Sequence, residues 1–217
     1  YRQLAEIIKG VQVDSETTMR DLSVESDVVT AKVEALVQGA RVVEKVVNKD
    51  GSYSVKVAVP LYGVKSVAAV VIPEANKNLL PSEASQITSG YIPSAELKAT
   101  SFSYTGVVVD AAGLGLEGTF SPVIYDVNGR AIYGMRNIDK DFAISKGMVE
   151  YYNDLQTATV NSRAGANPLV VKAVSVRGGA NSVNPVNVVV SVEDGDKILY
   201  ANEKSGMLEN KAVAFVK

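Results

Sequence analysis

The chain has 217 residues, 47% of them apolar and 21% charged, which is enough for one large domain or two small ones and too apolar for a disordered tail. Its 22 basic and 24 acidic side chains leave a net charge of −2, so bulk charge gives no attraction to nucleic acid or to an anionic bilayer. The absence of His, Cys and Trp removes Ser-His-Asp and Cys-His catalysis, imidazole and thiolate metal sites, and disulfide bonds.

Valine occupies 37 positions, and β-branched side chains favour half-buried pleated surface, so a strand-rich α+β fold is expected. Leu4, Ile7 and Ile8 form one apolar face of a helix ending at Gly10. This reads as the second half of a helix, and since the first residue is Tyr1 the chain is expected to be a processed or trimmed product with any targeting segment upstream. A short strand is expected over 11–14. Ser26 then opens a second amphipathic helix, with Val29, Val33, Leu36 and Val37 on one face and Gly39 just beyond it. Residues 41–48 and 52–59 flank Lys49-Asp50-Gly51, and Tyr53, Val55, Val57 and Val59 alternate along the second run; an Asp-Gly turn between such runs predicts a hairpin. An apolar stretch over 67–72 meets Pro73, after which prolines and serines replace periodicity, so 73–99 is read as a linker or docking loop between a first domain over 1–72 and a second over 100–217.

The second domain is expected to open with a strand ending at Asp110, followed by a glycine-rich loop. Strands over 122–127 and 130–133 flank Asn128-Gly129, another hairpin turn. Asp139 is expected to cap the domain's one principal helix, in which Ile144, Met148, Tyr151 and Leu155 recur at helical spacing. Further strands are expected over 169–176, 186–192, 197–200 and 212–216. The first domain would be a small sheet covered by two helices, the second a larger sheet. No run of eighteen apolar residues exists, so no bilayer-spanning helix is expected.

Three motifs suggest chemistry. Gly113-Leu-Gly115-Leu-Glu-Gly118 matches a dinucleotide-binding turn, but Thr119-Phe-Ser-Pro122 leads into a β-branched run where a helix N-terminus would have to receive the pyrophosphate. Asp126-Val-Asn128-Gly129 and Asp194-Gly-Asp196 begin like calcium loops, but neither continues to a distant bidentate glutamate, and turn chemistry accounts for both. Ser145 and Lys146 are adjacent on a helix, so their side chains diverge and do not activate one another. No catalytic residue, cofactor or metal site is therefore assigned.

The order of motifs carries a resemblance. Tyr1-Arg-Gln-Leu-Ala-Glu-Ile-Ile-Lys-Gly-Val-Gln-Val-Asp-Ser-Glu-Thr-Thr18, the helix containing Ala31 to Gly39, and the hairpin ending Val57-Ala-Val-Pro-Leu61 resemble the twenty-kilodalton outer-membrane lipoprotein family, which includes flagellar FlgP/FlgT-like modules. The likeness covers 1–72. Residues 104–116, 121–134 and 167–173 look like a C-terminal extension found in envelope proteins of uncharacterised function that carry the same module. The resemblance implies a periplasmic, outer-membrane or cell-surface protein whose membrane attachment, if any, is an upstream lipid anchor. It brings no catalytic residues.

The resulting expectation is a non-enzymatic envelope protein acting in protein–protein assembly, with itself or with other envelope proteins, as a ring, disk or filament and with a link to the flagellum. Tyrosine is enriched at interfaces, so Tyr53, Tyr125, Tyr133, Tyr151 and Tyr152, together with Phe215 on a terminal strand expected to expose an edge, are the expected interaction residues. The alternatives are a periplasmic small-ligand-binding or enzymatic domain using Asp110 and the loop from Gly113 to Gly118, and an envelope domain with no flagellar connection.

Overall fold

The computed structural model describes residues 1–78, 93–99, 103–134, 139–161, 163–179 and 182–217. In chain order the elements are α1 (Arg2–Lys9), α2 (Met19–Glu25), α3 (Asp27–Gln38), β1 (Arg41–Val47), β2 (Tyr53–Ala58), α4 (Val67–Asn78), α5 (Ala95–Ala99), β3 (Gly106–Asp110), β4 (Ile124–Asp126), β5 (Ala131–Tyr133), α6 (Lys140–Lys146), β6 (Glu150–Tyr152), α7 (Leu155–Asn161), β7 (Pro168–Lys172), β8 (Ser175–Arg177), β9 (Asn187–Val190), α8 (Val192–Ser205) and β10 (Val213–Val216). The fold is α+β. Among the described residues no helix is long and apolar enough to cross a membrane.

The chain forms two compact units. The first comprises Tyr1–Val13, Thr17–Asn78 and Lys140–Gly147, the second Asp14–Glu16, Leu79–Asp139 and Met148–Lys217. Part of the sequence expected to be the second domain therefore belongs to the first unit, and α4 carries the chain straight through Pro73, where a linker is expected. Most of that linker, 79–92, lies outside the described residues.

The first unit is a helical cluster with an appended ribbon. Thr18 and Asp21 cap α2 reciprocally: the Asp21 N–H donates to Thr18 Oγ1 while Thr18 donates its N–H and hydroxyl to Asp21 Oδ2. Ser26 caps α3 by accepting from the Val29 N–H, and the Thr30 hydroxyl donates to Ser23 O, tying α3 to α2. Ile8, Met19, Leu22, Val29 and Val33 are buried between these helices. Of the strand expected over 11–14 only a single bridge forms, Gln12 with Thr18.

Among the described residues the second unit holds two four-stranded sheets. One, ordered β6-β10-β3-β7, is entirely parallel; the other, ordered β5-β4-β9-β8, pairs β4 with β9 in parallel and its outer strands antiparallel. Every residue of β10, and Val107, Val108 and Val109 of β3, is buried, as a parallel sheet covered on both faces requires. Helix α7 and the loop after it supply Ala158 and Ala164, which pack on Val108, Ala214 and Val216.

Four expectations need correction. The helix expected through Ile144, Met148, Tyr151 and Leu155 is three elements: α6 stops at Gly147, whose φ is +75°, and the β-favouring run after it becomes β6, paired with β10, before α7 begins. The strand expected over 197–200 lies inside α8, because Ser191 accepts from the Asp194 N–H as an N-cap and Gly206 closes the helix at φ +62°. Asp194-Gly-Asp196 accordingly lies within the N-terminal part of α8 instead of in a loop. Residues 169–176 do not form one strand: β7 and β8 belong to different sheets.

Candidate interaction surface

β1 and β2 form an antiparallel ribbon that no third strand joins among the described residues. Asp50 Oδ1 accepts from the Ser52 N–H and hydroxyl, and Gly51 at φ +83° supplies the left-handed turn residue. Every residue of β1 is exposed, although four of its seven residues are valines.

A bulge explains the arrangement. Opposed residues share a face, and the pairs Glu44 with Lys56, Lys45 with Val55, Val46 with Ser54 and Val47 with Tyr53 are followed across the bulge by Val42 with Val57. The extra residue, Val43, shifts the phase so that Val42 and Val47, an odd number of residues apart, face the same way. One face is therefore apolar: Val42, Val47, Tyr53, Val55 and Val57, interrupted only by Lys45. The other is mixed: Val46 and Ala58 lie there beside Arg41, with Glu44 and Lys56 in a 2.7 Å ion pair and the Asn48 amide donating to Ser52 Oγ and Ser54 Oγ. On the apolar face Tyr53 is 76% exposed, Val47 66%, Val55 52% and Val42 45%. Isolated exposed apolar side chains are ordinary, but a contiguous set on one face of a ribbon makes that face a candidate interaction surface.

Of the expected interaction residues, only Tyr53 lies on this surface. Tyr133 is wholly buried and its hydroxyl donates to Met148 O at 2.8 Å. Tyr125 is buried with the Arg177 guanidinium 4.7 Å above its ring. Phe215 is buried edge-on against Tyr151, and its strand β10 lies between β3 and β6, so it offers no edge to a neighbour. Tyr151 is half-buried, its hydroxyl 3.3 Å from both Thr119 N and Thr119 O. Tyr125 and Phe215 lie on inner strands flanked on both sides, whereas Tyr133 and Tyr151 lie on the outer strands β5 and β6. What the sequence reading missed are the valines around Tyr53, whose signal was their alternation along 53–59 without an acidic residue among them.

Tyr152 is half-buried and donates its hydroxyl to Glu150 Oε2 at 2.8 Å; burial and the Glu150 carboxylate push its phenol up to about 12. Burial pulls the Glu150 carboxyl upward, but the Arg163 N–H and Tyr152 hydroxyl bonded to it and the Arg163 charge outweigh that, leaving it below the ordinary carboxylate range. A depressed folded-state value contributes stability that is present above the unfolded value and lost as pH falls through the folded one. Glu150→Gln should therefore cost stability at neutral pH and progressively less as the solution is acidified, read from urea midpoints across pH; a deficit independent of pH would contradict the assignment.

The loop from Gly113 to Gly118 serves its own backbone. Asp110 Oδ1 accepts from the Ala112 N–H, the Leu114 N–H donates to Ala111 O, and Gly113 and Gly115 take φ of +78° and +74°. Among the described residues no helix follows the loop; the chain runs from Thr119 to β4, so the loop does not open into a helix N-terminus. Asp196 pairs with Arg130, and Asp194 accepts from the Ser191 hydroxyl.

Residues 106–217, from β3 to β10, match the family model described as Treponema pallidum Tp0624, second domain. The ribbon lies outside the matched segment, and no match to a curated protein is found. Because the match spans more than half of the sequence, the chain belongs to the family of the second domain of Treponema pallidum Tp0624.

Proposed function

We propose that this chain is a non-enzymatic assembly protein of the bacterial cell envelope and that the β1–β2 ribbon is the surface through which it associates. The observation that carries the reading is the apolar face on which Val42, Val47, Tyr53 and Val55 are exposed and Val57 is half-buried. A two-stranded ribbon is marginally stable alone, and each Val or Tyr it buries against a partner contributes roughly 1.5–3 kcal/mol, so association repairs a surface the monomer leaves wet. The resemblance of residues 1–72 to the outer-membrane lipoprotein family supports a periplasmic, outer-membrane or cell-surface setting, attachment through an upstream lipid, and a flagellar role among the assemblies such modules serve. The partner is a further copy of the chain or another envelope protein.

The test is the mass of the purified chain across a concentration series by light scattering. A mass above 23.0 kDa that rises with concentration is expected. The Val47→Lys, Val55→Lys double variant should remain at the monomer mass with an unchanged circular dichroism spectrum, because both positions are exposed and contribute little to the fold. A wild-type monomer at every concentration would overturn self-assembly.

A further inference from the structure

We infer that the assembling contact is β2 of one copy pairing antiparallel with β2 of a second copy about a two-fold axis at Val55; this rests on the assembly reading above and specifies its geometry.

The two outer edges of the ribbon differ. The edge of β1 is interrupted by the bulge at Val43 and carries Arg41, Glu44 and Lys45. A two-fold axis at position 44 or 45 of that edge would set Glu44 against Glu44, or Lys45 against Lys45, of the second copy, and directly opposed like charges are destabilising. A bulge and edge charges are also the devices that keep a strand from accepting a neighbour. The edge of β2 has no bulge and a single charge. Tyr53-Ser-Val-Lys-Val-Ala58 has an unbroken register and one charge, Lys56, already neutralised across the ribbon by Glu44 at 2.7 Å.

The backbone phase fits. The Asn48 N–H donates to Ser52 O at 2.8 Å, and hydrogen-bonded and non-bonded pairs alternate from there, so Ser54 and Lys56 turn their backbone groups toward β1. Tyr53, Val55 and Val57 then direct their N–H and C=O groups along the outer edge. These same residues carry the apolar face.

The run is complementary to itself under the two-fold. With Val55 opposite Val55 of the second copy, Tyr53 falls opposite Val57, Val57 opposite Tyr53, and Lys56 opposite Ser54. Every outward backbone group acquires a partner, aromatic and β-branched side chains meet directly, and no like charges oppose. Two marginal ribbons become one four-stranded sheet with a continuous apolar face, and three or more strands with such a face are what independent stability requires. The contact is isologous and closes at two copies. A strand of another protein could meet these hydrogen bonds, but the placement of the single charge and the aromatic–valine reciprocity select a second copy.

The sequence contains no cysteine, so engineered thiols report without background. Directly opposed residues in a hydrogen-bonded antiparallel pair have Cα atoms about 5.5 Å apart, within disulfide reach. In the full chain under mild oxidation, Val55→Cys should form a covalent dimer on the order of tenfold or more faster than Val24→Cys, an exposed position that reports random collision. Val47→Cys, on the far strand, should crosslink no faster than Val24→Cys. If the wild-type chain associates but Val55→Cys crosslinks only at the collisional rate, or Val47→Cys outpaces it, the β2 pairing is overturned and the assembly reading stands. If the wild-type chain is monomeric throughout and Val55→Cys stays at the collisional rate, both fall.

Discussion

Replacing Gly106 by alanine is expected to unfold or severely destabilise the second unit. A Cβ at Gly106 would lie closer than 3.0 Å to Ala212 O, Ala164 Cα and Ala164 O, all backbone atoms. None can yield as a side-chain tip would. Gly106 begins β3, which is held on one side by β10, with the Val107 N–H donating to Ala212 O at 2.8 Å, and on the other by β7, with Gly106 opposite Pro168. Over it passes the segment of Ala164, whose carbonyl accepts from the Thr105 hydroxyl at 2.6 Å. Moving any of these segments breaks ladder hydrogen bonds in the parallel sheet. The expected cost is about 3–5 kcal/mol, the range of the largest single-residue effects. In a chain of this size that lowers the melting temperature by roughly 10 °C or more. Two controls separate sterics from glycine's other properties. Gly118→Ala meets no atom within 4 Å and has no positive φ, so it should be neutral or slightly stabilising through the unfolded chain. Gly113→Ala also meets nothing, but its φ of +78° should cost about 1–2 kcal/mol. The readout is urea unfolding followed by circular dichroism, with hydrogen exchange of the β3 and β10 amides to localise the effect. A Gly106→Ala midpoint matching that of Gly118→Ala would show that the crossing is looser than the geometry states.

How far the sequence announced this structure depends on whether the deciding signal is local. Asp50-Gly51 and Asn128-Gly129 identify their hairpins because the turn's positive φ is set by the residue occupying it, and Gly51 and Gly129 do sit at +83° and +80°. Helix α3 is legible for the same reason: its Ser26 cap and apolar face are contiguous. Helix α8 is not, since Lys197-Ile-Leu-Tyr200 imitates a strand until Ser191 and Gly206 are seen as the two ends of one helix. The spacing of Ile144, Met148, Tyr151 and Leu155 fits a helix by coincidence, and the stop at Gly147 overrides it. The aromatics show the deepest loss. Tyr53 and Tyr133 are chemically identical and both lie on hairpin strands, yet one is solvent-exposed and the other buried, because exposure is decided by what packs against a strand from distant parts of the chain. The proposed interaction surface depends on a bulge at Val43, and a bulge appears only when two strands are set in register.

The second large effect is expected at Arg130, which pairs with the buried carboxylate of Asp126. Asp126 ends β4 with its side chain 1% exposed, and its two oxygens are fully engaged: Oδ1 accepts the N–H groups of Asn128 and Arg130, each at 2.9 Å, and Oδ2 accepts Arg130 Nε at 2.9 Å. The guanidinium continues to Asp196 on α8, Nη2 to Oδ1 at 2.6 Å, so one arginine fastens the hairpin turn to the helix that packs on β4 and β5. Burial disfavours the guanidinium charge, but the hydrogen bonds and charges of Asp196 and Asp126 outweigh this and hold it. Arg130→Met keeps the apolar stem and removes the charge, leaving Asp126 a carboxylate in a dry site; the expected loss is about 3–5 kcal/mol. Asp126→Asn should cost less, because an amide oxygen still accepts the two turn N–H groups and the arginine keeps Asp196. The discriminating quantity is the cycle. If the loss in Arg130→Met comes from the stranded carboxylate, the Asp126→Asn, Arg130→Met double variant should be more stable than Arg130→Met alone, a coupling of roughly 1–3 kcal/mol measured by urea unfolding at neutral pH. Simple additivity of the two losses would instead mean that Arg130 stabilises the unit through its packing and through Asp196, with the Asp126 charge already satisfied by the turn.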